Sequence, residues 1–501
     1  MRPNPGDAAV LCALAALSGT LLLANLGNQY LWQDEAQTAL LARTILEHGI
    51  PLGTDGTNSF SQELGAEYGP DGVWRWHTWL SFYAVAASFA VFGQTTFAAR
   101  LPFALAGIGC VLLGWALARE LWCDRVAAAA TGLLLSLSVP FLILARQCRW
   151  YALAAFLALA GLLAYSRIRR GERRWAVALL VAAVLLFHTH YLYCAALLGS
   201  CCLHAALLER ERWRPTFAAA VAASALSLPW LVWLSGVKLA PDYSERLLNP
   251  SDSLFFLRAY SEGLVRDFFA RGLWLLALLP MALRRVQRGE PALPRERRVW
   301  SGVALVTLHA GLGIALLAGL SPGLYVRYLT PLVPPLFALL GLLVAALARA
   351  WPAVAAAAVA VWVLSGHLED FVYELTHDYD GPMEGIVGFL NTHARPWDTV
   401  AIVYEDLPVK FYTGLRVVGG LTGEDIDAAR GADWIILRRH NLAPISRSVR
   451  DRLQRFVAEG DYQRHVIDYP DTAFENREDP RQHRYRTTER APRVEIWGKR
   501  R

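Results

Sequence analysis

Ionisable side chains are scarce in this 501-residue chain: Asp, Glu, Lys and Arg make up 18% of it, where a soluble domain carries about a quarter. That shortfall excludes an ordinary soluble enzyme of this size. Cysteine forms no framework either. Cys12, Cys110, Cys123, Cys148, Cys194, Cys201 and Cys202 fall mostly in or beside apolar runs, without the paired spacing of a zinc site, and read as small core residues. An inverted repeat and a matched pair of Gly- or Pro-broken apolar segments are also missing, which argues against a secondary transporter. No glycine-rich phosphate loop opens a helix beyond residue 366.

What the chain has in abundance is apolar sequence: 55% of its residues are hydrophobic and the mean hydropathy is +0.29. Apolar stretches of roughly 16 to 22 residues recur as far as Leu364, each close to the ~20 residues that span ~30 Å of hydrocarbon. The expectation is a polytopic α-helical membrane protein. Ala8 to Leu26 lacks the cationic cluster of a signal peptide and precedes many more spans, so a retained anchor is expected.

The net charge of +6 says little as a whole, but the arginines cluster. SRIRRGERR (166–174), ERERWR (209–214) and LRRVQRGEPALPRERR (283–298) are predicted to face the cytoplasm. Alternation from these loops places RQCRWY (146–151), FHTHY (187–191), SPGLYVRY (321–328) and everything after Gly366 on the external face. The same parity leaves HTWLSFYAVAASFAVFG (77–93) without a crossing. It follows the Trp-rich approach VWRWHTW, so it is predicted to lie in the headgroup region. About eleven spans result, with an interfacial helix in a first external loop covering residues 28–98.

From His367 the composition turns soluble, and the division expected is a membrane domain over 1–366 and an extracytoplasmic α/β domain over 367–501. DTVAIVY (398–404), LRVVGG (415–420) and DWIILRR (433–439) read as strands. LPVKFYTG (407–414), EDIDAARGA (424–432) and SVRDRLQRFVAEG (448–460) read as helices between and after them. No chemistry is assigned to this region.

The candidate chemistry lies in the external loops. Asp34 and Glu35, in YLWQDEAQTALLARTILEHG (30–49), follow the first apolar run. Acids at a helix start complement its macrodipole, but a carboxylate just outside a bilayer can also serve as a general base for a hydroxyl. On the same predicted face stand His77, Arg146, Arg149, His188, His190 and Arg327, each near a span end. Singly, arginines there are snorkelling anchors and histidines satisfied helix contacts; together, opposite an acidic loop, they suggest a phosphate site at membrane depth.

These residues carry a resemblance. QDEAQTALLARTILEHGIP after the first span, HTWLSFYAVAASFAVFG followed six residues later by RLPFALAG, RWYAL (149–153), THYLY (189–193) and RYLTPLVPP (327–335) occur in the order seen in GT-C glycosyltransferases. The chain is similar to the branch containing bacterial protein O-mannosyltransferases and the lipid A aminoarabinose transferase, through most of residues 10 to 350. The resemblance implies a GT-C-like membrane fold and an inverting glycosyltransferase on the external face of the cytoplasmic membrane. Its donor would be a polyprenyl-phosphate sugar and its acceptor a hydroxyl on a lipid, glycan or protein, among membrane lipids and with no nucleic acid as partner. It makes Asp34 the catalytic aspartate and Glu35 its acidic neighbour. It places His77, Arg149, Arg327 and Tyr328 at the donor phosphate, with Tyr151, His188, His190 and Arg146 as further substrate contacts. Thr78 and Trp79 replace the family's Pro-Pro after His77. Arg149 and Tyr151 match an Arg-x-Tyr where other branches have an acidic residue, so neither a divalent metal nor another cofactor is indicated. A glycan ligase or polymerase using a diphosphate-linked donor, a transporter and a membrane scaffold are the alternatives.

Overall fold

Leu- and Ala-rich runs lose little side-chain entropy in a helix, and the long apolar segments fold accordingly. The computed structural model describes residues 5–210, 213–234, 247, 249–269, 297–364, 366–439, 444–472, 480–487 and 491–500. In chain order the helices are α1 (Pro5–Leu23), α2 (Gln33–His48), α3 (Leu80–Phe92), α4 (Thr96–Trp122), α5 (Arg125–Ser136), α6 (Val139–Ala145) and α7 (Tyr151–Arg169). Then come α8 (Trp175–Phe187), α9 (Tyr191–Leu208), α10 (Trp213–Leu234), α11 (Pro250–Gly263) and α12 (Arg297–Leu320). A 3-10 turn, Val326–Leu332, leads into α13 (Val333–Ala350) and α14 (Pro352–Leu364).

Among the described residues seven helices are long and apolar enough to cross a membrane, or up to nine if two bent pairs each count as one span. The chain is a multi-pass membrane protein. Ten of the eleven apolar segments expected to cross are helical; the eleventh, 271–283, and most of the basic loop 283–298 lie outside the described residues. The count falls because α8 and α14 have only 13 residues each, about 20 Å of helix, and α5 and α6 meet at 63°. The segment expected at the interface forms α3, also 13 residues, and leaves His77 in the approach to the helix. Close helix contacts depend on small residues: a Cβ on Gly341 of α13 would sit 2.1 Å from Thr131 Oγ1 of α5.

The C-terminal region opens with α15 (Leu368–Thr376) and α16 (Pro382–His393), followed by β1 (Thr399–Ile402), α17 (Asp406–Thr413), β2 (Arg416–Gly419), β3 (Trp434–Ile436), α18 (Pro444–Glu459), β4 (Tyr462–Pro470) and β5 (Arg493–Lys499). The sheet order is β2-β1-β3-β5-β4. β1 pairs parallel with β2 (Val400 opposite Val417) and β3 (Val400 opposite Trp434), while β5 runs antiparallel to both neighbours. Alternate residues of β1 feed two apolar layers: Val400 and Ile402 pack with Ile386 and Leu390 of α16, Ala401 with Leu453 and Phe456 of α18. EDIDAARGA, expected as a helix, yields only a 3-10 turn at Ile426–Ala429; Gly423 and Gly431, both at positive φ, bracket too few residues for stable α-turns.

This small sheet domain sits directly on the first loop. Gln33 Nε2 donates to Asp406 Oδ1 (2.9 Å), Asn58 Nδ2 to the Leu415 carbonyl (3.0 Å), Arg43 Nη2 to the Phe411 carbonyl (2.9 Å) and Leu64 N–H to the Leu421 carbonyl (2.9 Å). Lys410 is buried between Asp406 Oδ2 (2.6 Å) and the Ser59 carbonyl (2.8 Å). The first loop is thus held between the helices and the sheet.

Candidate active site

Adjacent residues on an α-helix point about 100° apart, and the first turn of α2 uses that divergence. Glu35 turns inward and has no exposure. Its two oxygens bind Arg100 of α4 in a fork (2.8 and 2.7 Å); Oε1 also accepts the Cys148 N–H (2.7 Å) and Oε2 the Trp32 N–H (3.3 Å). Arg100 continues to the carbonyls of Leu26 and Gln29 (3.1 and 2.8 Å). Asp34 turns the other way, towards the end of the bundle.

Two guanidiniums meet Asp34 there. Arg149 lies in the turn between α6 and α7, which Glu35 fixes through Cys148. Its Nη1 donates to the Asp34 carbonyl (3.1 Å) and to Thr38 Oγ1 (3.2 Å), and its Nη2 lies 3.7 Å from Asp34 Oδ2. Burial works against the Arg149 charge, yet Asp34, Tyr151 and Tyr328 together outweigh it and raise the pKa. Arg327 lies in the 3-10 turn before α13, where Pro331, lacking an N–H, keeps the chain out of a regular α-helix. Its Nη2 donates to Asp34 Oδ2 at 3.2 Å, and its guanidinium stacks over Tyr325 with 4.2 Å to the ring centre.

A cavity of about 140 Å³ opens over this triad. Asp34, His77, Arg149, Arg327 and Tyr328 all line it. Burial, then Arg149 and His190, hold His77 well below the usual imidazole pKa, so it is neutral at pH 7. Glu67, on the acidic wall with Gln62 and Glu63, is pushed up by burial.

The remaining predicted residues lie elsewhere. Glu35 does not line the cavity: it is a buried strut beneath it. Arg146 also moves out, because its guanidinium caps the end of α1 through the carbonyls of Leu21, Leu22 and Ala24 (3.0, 3.1 and 2.8 Å). His188 faces Trp230, with ring centres 5.3 Å apart, and its carbonyl accepts the Leu80 N–H. His190 and Tyr151 form a layer behind the wall, His190 against Trp150 (4.1 Å) and Tyr151 beside Tyr328 (6.4 Å).

Sequence reasoning missed Gln37, Gln62, Glu63, Glu67, Trp76 and Tyr325, and also Tyr404 and Leu421 from the sheet domain. A signal for the last two existed. Tyr404 follows β1 and Leu421 follows β2, at the carboxyl edge of the parallel part of the sheet, where α/β sheets generally bind ligands. Among the described residues no group of three or more His, Cys, Asp or Glu side chains is placed to hold a metal ion.

The family model described as dolichyl-phosphate-mannose-protein mannosyltransferase matches residues 76–277. No curated protein matches the chain in sequence. The structure of ArnT from Cupriavidus metallidurans bound to undecaprenyl phosphate is similar at 15% identity and TM-score 0.58, covering 99% of this chain and 98% of that one. The apo state of the same protein gives 15% identity and TM-score 0.57, with 98% of each chain covered. The oligosaccharyltransferase of Archaeoglobus fulgidus in its apo form gives 11% and 0.50, over 89% of this chain and 68% of that one. The chain therefore has the GT-C fold, with a small sheet domain at its C-terminal end.

Proposed function

We propose that this protein is an integral-membrane inverting glycosyltransferase that moves a sugar from a polyprenyl-phosphate donor to a hydroxyl acceptor, on the external face of the cytoplasmic membrane. The observation that carries the reading is the meeting of Asp34 with Arg327 (3.2 Å) and Arg149 (3.7 Å) in a cavity at one end of an apolar helical bundle. Two cations around one carboxylate leave a local positive charge for a phosphate to neutralise, and guanidiniums suit phosphate oxygens. Undecaprenyl phosphate, bound in the structure of one relative, has that chemistry.

In the reaction the acceptor hydroxyl attacks the anomeric carbon as the bond to the phosphate oxygen breaks. Asp34 takes the hydroxyl proton, and the bonding electrons leave on the lipid phosphate. A hydroxyl is a poor nucleophile at neutral pH, and a positioned base is worth about 10²–10⁴-fold. Arg327 and Arg149 stabilise the charge that grows on the departing phosphate, in surroundings where a cation acts more strongly than in water. As Arg327 turns towards the phosphate, its hold on Asp34 Oδ2 slackens and that oxygen becomes free to accept a proton. Neutral His77 can donate a hydrogen bond to a phosphate oxygen without adding charge. One in-line displacement inverts the anomeric centre.

The test is reconstitution into lipid nanodiscs with a panel of polyprenyl-phosphate sugars, following release of polyprenyl phosphate. The parent should release it from one donor class in an acceptor-dependent way, and Asp34→Asn should bind that donor without turning it over. Parental turnover in Asp34→Asn would overturn the assignment.

A further inference from the structure

The wall of the cavity facing the arginines is a turn in the first loop, residues 61–67, and its internal bonding is unusually complete. Glu67 is buried (1% exposed). Its carboxylate receives the Ser61 hydroxyl, the Gln62 N–H (2.6 Å) and the Glu63 N–H (3.1 Å). Ser61 Oγ in turn accepts the Gly65 N–H (2.7 Å). One side chain reaches from this turn to Asp34: Gln62 Nε2 donates to Asp34 Oδ1 at 3.2 Å. The amide nitrogen must face Asp34, since an ionised carboxylate only accepts.

The back of the same turn carries the sheet domain. The Leu64 N–H donates to the Leu421 carbonyl (2.9 Å), and Gly423 packs so closely that a Cβ there would lie 2.5 Å from the Leu64 carbonyl carbon. Gly423 also has φ of +79°, a left-handed conformation open to glycine.

We infer that Gln62 is the positioning residue for Asp34, and that it is set in place from two sides, by Glu67 within the turn and by the seat of the sheet domain on Leu64. This rests on the role proposed for Asp34 above. The physical need is clear: the terminal torsion of an aspartate is broad, and Arg149 and Arg327 both bind Oδ2, which leaves rotation of the carboxylate plane undetermined. Gln62 fixes Oδ1 and so the plane. A displacement of ~1 Å at a reacting group can cost about 10²-fold. The sheet domain, although some 390 residues from Asp34 in sequence, then acts on the base through this turn and its amide, beside the direct bond its Asp406 accepts from Gln33.

The experiment is a double-mutant cycle on the full chain in nanodiscs, with kcat and the KM for donor measured separately. Gln62→Ala should lower kcat by about 10- to 100-fold with the KM for donor changed less than twofold. Gln62→Asn, one methylene short, should fall between it and the parent. Gly423→Ala, which lifts the turn from behind, should lower kcat in the same way yet add almost nothing in the Gln62→Ala background, because both act on one contact. Thermal unfolding of each variant checks that the protein is folded. Parental kcat in folded Gln62→Ala, or independent multiplication of the two effects, would overturn the inference while leaving Asp34 as base. Parental turnover in Asp34→Asn would instead remove the reading on which it rests.

Discussion

The two faces of α2 hold neighbouring carboxylates under opposite conditions. On the Glu35 face every contact is spoken for: a forked guanidinium and two backbone N–H groups, of Cys148 and Trp32, meet a side chain that water cannot reach. On the Asp34 face the carboxylate borders a cavity, shares two arginines and keeps 13% of its side chain exposed. The contrast teaches that an acidic pair in sequence need not be a pair in chemistry. One partner supports the structure, and the other is left in reach of a ligand.

Substitutions can break that contrast or sharpen it. The largest effect should come from Asp34→Asn, with turnover down by about 10²–10⁴-fold and the unfolding temperature within the scatter of the parent. Glu35→Ala should show the reverse signature. It strands Arg100 without its buried partner, at a cost of roughly 3–5 kcal/mol, so thermal melting in detergent should drop sharply and the yield of folded protein with it. A Glu35→Ala variant as stable as the parent would mean that the inward face is not the strut described. Arg327→Ala comes next. Loss of a charge-assisted contact worth about 1.5–3 kcal/mol should raise the donor KM by one to two orders of magnitude in steady-state assays, whereas the acceptor KM should hardly move.

The smallest effect concerns the layer behind the cavity. Burial pushes His190 down to about 3, against an ordinary value of ~6.5 in the unfolded chain. The folded state therefore refuses a proton that the unfolded state takes up once the pH drops below ~6.5, and stability falls with pH across the window between those two values. Between pH 7 and 5.5 this costs about 1 kcal/mol. Melting of His190→Gln should consequently be less steep in pH than that of the parent, and identical slopes would remove His190 from the account.

Much of the helical bundle was legible because its signal is long and repetitive: a 19-residue window of Leu and Ala leaves few alternatives. The cationic half of the cavity was legible for a related reason, since Arg149 and Arg327 stand out at the ends of apolar runs. The orientation of Glu35 was not, because the sequence places it beside Asp34 and says nothing of Arg100, 65 residues later. Gln62 and Glu67 were hidden among seven carboxylates of one loop, with no periodicity to rank them. In the sheet domain the buried strands β1, β2 and β3 were read from their continuous Val/Ile/Ala runs, whereas β4 and β5 alternate charged and apolar residues, YQRHVIDYP and RVEIWGK, and gave no continuous apolar run to read.

The position of β5 sets a timetable. It is the strand furthest along the chain, yet it lies inside the sheet, between β3 and β4. The sheet stays in two pieces until residues 493–499 have been synthesised and inserted. Tyr404 and Leu421, which line one side of the cavity, follow β1 and β2, in the three-stranded piece that β5 joins to β4. The wall they form is thus one edge of a sheet whose two pieces only the insertion of β5 unites.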